Sequence, residues 1–226
     1  MEIIRNPGRL DTLLQQHHIP EMFQYFQEYR PHFYLIRFAK GEYVFQHEEG
    51  SQYLLFFLSG KAKICRNLSN GKSMLVSFCN SFRVLGDLEL FDMDTTPSSI
   101  QAVEPCICIS LSLRHIRSRL MKDPVFLKYI AQSLATKLVQ AGNNTSINML
   151  YPLDNKLASY ICLSHENGLF SENLTNLSEL LGTSYRHLLR VLSSFVNDGI
   201  LERCKKGYRI KDSKALEALA VDFFLN

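Results

Sequence analysis

Arg186 and Arg190 stand four residues apart in the stretch GTSYRHLLRVLSSF, which also carries Tyr185, His187 and Ser193 and is followed closely by Asn197. A guanidinium is planar and offers its N–H groups as a fork, so it can give two parallel hydrogen bonds to a flat pair of acceptors. The O6 and N7 edge of guanine is such a pair. Spacing of three and four aligns Arg186, Arg190, Ser193 and Asn197 on one side of a helix, with Tyr185 beside them at its start. Leu188, Val191, Leu192 and Phe195 follow the i, i+3, i+4, i+7 spacing of a buried stripe, which leaves the polar side free to point outward.

The flanking residues supply what would position those side chains. Leu177, Leu180 and Leu181 give a preceding helix one apolar face, and Asn173 or Thr175 can cap its start. Gly182-Thr183-Ser184 is a three-residue break suited to a sharp turn, so the pair reads as a helix-turn-helix whose second helix presents its N-terminal residues to base edges. Asp198-Gly199 ends that helix, and ILERC, KKG and YRIKD then read as a hairpin with Lys205 and Lys206 at its tip, a wing placed to meet phosphates. Charge agrees with this division. Residues 1–113 carry ten Lys and Arg against twelve Asp and Glu, whereas residues 174–214 carry eight against four, so a polyanion is expected at the C-terminal segment. The competing reading is a helical hairpin whose charged exterior is only solvated.

The rest of the chain has two textures. From His32 to Leu111, short β-type runs (HFYLIRF, EYVFQ, YLLFFL, KAKICRNL, SMLVSF, CICISL) alternate with turn residues, and Asn70-Gly71 is the strongest hairpin signal among them. A compact antiparallel sandwich or barrel is expected. From Arg114 the periodicity becomes helical, with Phe126, Ile130, Leu134 and Leu138 four residues apart on one broad apolar face. Such a helix either covers the β domain or shares Phe126, Ile130, Leu134 and Leu138 with a second copy of the chain across a two-fold axis. Its polar end, GNNTSINM, leads to Tyr151-Pro152, where a hinge is expected, and PLDNKLASYICLS forms a further helix.

Other chemistry finds less support. Six cysteines spread along a chain of this length do not form a disulfide framework. Cys106 and Cys108 would share one face of a strand, either as a redox or metal pair or as small buried hydrophobes. His17-His18 is a weak candidate pair for metal or haem. Asp87 and Glu89 lie two residues apart, yet no nucleophile with its base, no Walker or dinucleotide loop and no metal spacing accompanies them, so an enzyme is not expected. The longest apolar run, Tyr53 to Leu58, is too short to span a bilayer, and the N-terminus does not read as a signal peptide, so the protein is expected in the cytoplasm without membrane contact.

The order of these parts resembles the CRP/FNR superfamily of bacterial transcription regulators, and more closely its YeiL-like branch. KGEYVFQHEEGSQYLLFFLSGKAKI is similar to the family's opening β-roll, LGDLELF to the segment that introduces its effector pocket, and LGTSYRHLLRVLSSFVNDGIL with KKGYRIK to its recognition unit and wing. The resemblance covers nearly the whole chain. It implies an α+β fold with a cyclic-nucleotide-binding-type β-roll sensor over residues 1–113, a dimerisation helix and hinge over 114–151, and a winged helix-turn-helix over 152–226. It also implies a homodimer on a palindromic DNA operator, with RNA polymerase as a further partner. By position, Tyr185, Arg186 and Arg190 match base-reading sites, Thr183 and Ser184 match turn residues that approach phosphate, and His187 lies on the same surface.

Cyclic-nucleotide binders of the family place glutamate after the pocket glycine and an Arg-Ser pair downstream. Here Gly86 is followed by Asp87 and Leu88, and Pro97-Ser98-Ser99 stands at the pair. A cyclic phosphate buried without its guanidinium would be an unpaired charge, so cyclic AMP is not expected as effector. An iron–sulfur cluster is not expected either, since the first cysteine is Cys65. No cofactor is predicted and the effector is left open. The alternative is a ligand- or redox-sensing module whose C-terminal helices dock a protein partner.

Overall fold

The computed structural model describes residues 2–4, 10, 12–13, 16, 21–46, 53–67, 71, 73–91, 98–114 and 116–221. His17-His18, Asn70 and Pro97 lie outside them. The chain divides into two compact units, one of residues 1–64 and 78–141, the other of residues 65–77 and 142–225.

The N-terminal half of the chain carries β-strands β1 (Glu2–Ile4), β2 (Phe33–Phe38), β3 (Tyr43–Gln46), β4 (Tyr53–Ser59), β5 (Ala62–Asn67), β6 (Ser73–Cys79), β7 (Arg83–Leu85), β8 (Ser98–Ala102) and β9 (Cys106–Ser112). They form a five-stranded sheet in the order β1-β2-β9-β4-β7 and a four-stranded sheet in the order β3-β8-β5-β6. Pairing in the first sheet is antiparallel throughout. Side chains alternate along each strand, and the two faces of the five-stranded sheet bury different cores. Ile36, Phe38, Leu55, Phe57, Cys106 and Cys108 join Val44, Ile100 and Ala102 of the second sheet. Phe33, Leu35, Leu54, Phe56, Ile109 and Leu111 face the other way, toward helical segments. Because both faces of β4 are covered, YLLFFL is apolar without alternation.

The second core is capped by a 3-10 helix at Glu21–His32, a short helix α1 (Arg117–Leu120) and the start of a long helix α2 (Pro124–Leu150). Asp123 starts α2 by accepting the Val125 and Phe126 backbone N–H groups on Oδ1, at 2.9 and 3.2 Å. Pro124 at the first helical position costs no hydrogen bond there. The other oxygen of Asp123 accepts the Tyr29 hydroxyl at 2.8 Å. Phe26 meets Phe126 and Tyr129 edge-on, with centroids 5.6 and 5.1 Å apart, contacts worth about 0.5–1.5 kcal/mol each beyond the area they bury.

Burial is uneven along the expected seam. Phe126 and Ile130 are wholly covered inside the first unit, whereas Leu134 packs against the same core but stays half-buried. Leu138, by contrast, is 75% exposed and Val139 65%. The polar stretch GNNTSINM remains helical, and α2 runs on to Leu150.

In the second unit, helices α3 (Leu153–Ser164), α4 (Leu174–Leu180), α5 (Tyr185–Asn197) and α6 (Ser213–Leu219) accompany a three-stranded sheet ordered β10-β12-β11, made of β10 (Leu169–Phe170), β11 (Leu201–Cys204) and β12 (Gly207–Ile210). Helix α6, capped by Asp212 through the Ala215 N–H, and the strand β10 are elements that sequence patterning did not reveal. Leu157, Ile161, Phe170, Leu177, Leu188, Leu192, Phe195, Leu201 and Leu216 are buried in this unit.

Candidate nucleic-acid interface and effector pocket

Two caps fix the helix pair. The Asn173 side chain accepts the Thr175 and Asn176 N–H groups at the start of α4, and the Ser184 hydroxyl accepts the His187 N–H at 3.2 Å at the start of α5. Between them Gly182 sits at φ +64°, a left-handed conformation that favours glycine, and the Thr183 N–H donates to Ser178 O at 2.9 Å. Helix α5 then buries Leu188, Leu192 and Phe195, while Val191 is only half-buried. Its other side carries Tyr185, Arg186, His187, Arg190, Ser193 and Asn197, all exposed. His187 Nδ1 lies 3.4 Å from Thr183 Oγ1, which ties that ring to the turn, while Ser184 spends its oxygen on the cap.

The expected wing forms the antiparallel pair β11–β12, and Lys205 and Lys206 lie exposed at its turn. Gly207 is required for a second reason. At φ +141° it lies so close to β10 that a Cβ would sit 2.2 Å from the carbonyl oxygen of Phe170. Three exposed cations on or beside the wing escaped the sequence reading: Arg203, Arg209 and Lys211. The run YRIK held the signal of Arg209 and Lys211, since residues of alternate strand positions share a face. Lys211 is in part neutralised by Glu202, 3.7 Å away. A capped helix with outward arginines and a cationic hairpin offers forked donors together with diffuse positive charge, the two components of duplex recognition.

The expected effector pocket has a different character. Gly86 is buried at φ +82°, Leu88 is exposed, and Ser98 and Ser99 open β8 half-buried. Asp87 is 3% exposed and is held by Lys137 of α2, whose Nζ donates to Asp87 Oδ2 at 2.6 Å and to Val84 O at 2.7 Å. Burial pulls the Lys137 ammonium below its ordinary range, and the Asp87 carboxylate opposes that shift. Cys106 and Cys108 are wholly buried. Burial pushes the Cys106 thiol up to about 11 and the Cys108 thiol well above its ordinary range, so both are protonated at neutral pH and behave as small hydrophobes.

Known proteins share this arrangement. A model of the cyclic nucleotide-binding domain matches residues 35–123, and a model of the Crp-like helix-turn-helix domain matches residues 155–219. The chain is 37% identical over 188 residues to the regulatory protein YeiL of Escherichia coli O157:H7, covering 83% of this chain and 86% of that protein. It is 24% identical over 191 residues to the CRP-like cAMP-activated global transcriptional regulator of Mycobacterium tuberculosis, covering 80% and 85%. Among solved structures it resembles a transcriptional regulator of the crp/fnr family from Eubacterium rectale, with a TM-score of 0.75 at 16% identity over 89% of this chain and 97% of that one. A CRP-family regulator from Thermus thermophilus gives 0.61 at 15% identity over 81% and 95%. At these identities the structural likeness is one of fold.

Proposed function

The chain belongs to the CRP/FNR family of transcription regulators, and on that premise we propose that it acts as a homodimer reading a palindromic operator without responding to cyclic AMP. As a member of that family it is a regulator with a helix-turn-helix DNA-binding domain and not an enzyme. The observation that carries the operator reading is the row Arg186, Arg190, Ser193 and Asn197, exposed on α5 while Leu188, Leu192 and Phe195 anchor its back. Arg186 and Arg190 read bases, Tyr185 and His187 flank them, and Thr183 and Ser184 bring the turn to phosphate. Lys205 and Lys206 add phosphate attraction from the wing.

In this reading residues 1–113 are the sensor, 114–151 the dimerisation helix and hinge, and 152–226 the DNA reader. RNA polymerase is a further partner, and the protein works in the cytoplasm. Among the described residues no helix is long and apolar enough to cross a membrane. The dimer seam uses Leu138 and Val139, with Met149 and Leu150, which are 82% and 78% exposed. An apolar row of that kind is costly to leave in water.

The M. tuberculosis relative is named as cAMP-activated. Against that activity here, the acidic side chain after the pocket glycine is occupied by Lys137, and serines stand where a cyclic phosphate would need a guanidinium. Selection of bound DNA from a random pool tests the operator reading, and a consensus without two-fold symmetry would overturn it. On the selected site, Arg186→Ala and Arg190→Ala should each cost about 1–3 kcal/mol and relax base preference. Lys205→Ala should weaken all sequences alike and lower the salt slope by about 1. Unchanged operator affinity in both arginine variants would remove DNA reading from α5. Calorimetric titration should give no heat with cyclic AMP at micromolar concentration.

A further inference from the structure

Within the first unit, β7 and the segment before it face α2 across a cavity of about 300 Å³, at the lower end of the usual size for a small-molecule site. Arg83, Lys137, Gln140, Tyr129, Phe82 and Ser133 are among its walls, whereas Gly86, Leu88, Ser98 and Ser99 are not. The cavity thus lies beside those four pocket residues, joined to their segment through the Lys137–Asp87 pair.

The guanidinium of Arg83 is the unusual group. Its Nη2 donates to Gln140 Oε1 at 3.3 Å, but Nη1 is buried and has no hydrogen-bond partner among the described residues. A charged donor left so costs more than a neutral one, because it has given up hydration without compensation. Burial pulls the Arg83 group below its ordinary range. Lys137 does not share the deficit, since Asp87 and Val84 O already hold its ammonium. Among the described residues, two cations and one carboxylate leave a single uncompensated positive charge beside the cavity. The remaining walls add a phenol at Tyr129, which burial keeps protonated, and the ring of Phe82.

We propose that this cavity is a binding site for a small organic monoanion, a carboxylate attached to an apolar body, with the carboxylate on Arg83 and the apolar part against Phe82 and Tyr129. One unpaired guanidinium matches one negative charge, and its fork suits a planar carboxylate. A phosphomonoester brings about two charges and would leave one unpaired. The assignment rests on reading the first unit as a sensor and names the ligand class it takes.

The test is calorimetric titration of the full chain, in the absence of DNA, with benzoate, its neutral isostere benzamide, and phenyl phosphate. Benzoate should bind, with benzamide and phenyl phosphate weaker by about tenfold or more, the worth of one charged hydrogen bond. Arg83→Gln should lose benzoate binding by a similar factor while its thermal midpoint stays level or rises, because the substitution removes a buried unpaired charge. Ser133→Leu, which adds an apolar side chain to the cavity wall and leaves Arg83 in place, should abolish binding as well. Equal binding of benzoate and benzamide, undiminished binding in Arg83→Gln or Ser133→Leu, or no benzoate binding at millimolar concentration would each overturn the site. Since no DNA is present, failure of operator recognition leaves this result untouched.

Discussion

Single side chains decide most of the chemistry proposed for this regulator. Asp87 and Lys137 make the sharpest case, because a buried carboxylate 2.6 Å from its ammonium is stable only as a pair. Lys137→Ala should therefore cost about 3–5 kcal/mol in urea unfolding, while the double variant Asp87→Asn, Lys137→Met should recover most of that loss, since neither partner is left charged alone. Equal losses in the single and double variants would show that Lys137 acts through its packing or through its bond to Val84. Arg186 and Arg190 were legible from spacing, because a helix turns residues four apart onto one side regardless of context. Arg83 and Lys137 were not, because they lie more than fifty residues apart and meet only when β7 packs near α2. The polar stripe Gln132, Ser133, Thr136, Lys137 and Gln140 in the first half of α2 was the one local sign of that meeting.

At the level of elements, close approach rather than propensity sets the least replaceable positions. Gly207→Ala would press a Cβ to 2.2 Å from the Phe170 carbonyl oxygen at a backbone angle that L-residues rarely adopt. It should lower stability by about 1–3 kcal/mol and displace the wing, measurable as a lower thermal midpoint and as lost protection of the β12 amides in hydrogen exchange. Strands β2 to β6 and β9 and the helix pair were readable, because apolar runs bounded by turn residues and 3.6-residue periodicity report burial directly, whereas β1, β7 and β8 are only three to five residues long and stood out from no such run. The 3-10 helix at Glu21–His32 was not, since Pro31 lies inside it and its repeat is not that of an α-helix. Helix α6 is only seven residues long, and its cap Asp212 read as the end of the wing. The apolar stripe of α2 was legible as a stripe, but its division between core and exposed residues was not. Phe126 and Ile130 serve the core of their own unit, whereas Leu138 and Val139 are largely exposed.

For the whole molecule, the exposed apolar residues of α2 carry the assembly proposed. Leu138→Glu with Leu150→Glu should shift the protein toward monomer in analytical ultracentrifugation and leave its circular dichroism unchanged, because both side chains are largely solvent-exposed in the single chain. Loss of the dimer should also weaken a palindromic site far more than a half-site, since the two readers would no longer bind as one. A dimer that persists in the double variant would move the seam to another surface.

The Asp87–Lys137 pair also has a history to impose. A descendant that came to use this carboxylate for a nucleotide ligand would have to free it from its lysine, and either first step strands a charge in the core. Each single substitution thus crosses a stability valley before any new ligand can reward it. Lineages carrying the pair should keep both residues or lose both together, and drift toward other small molecules is the shorter path.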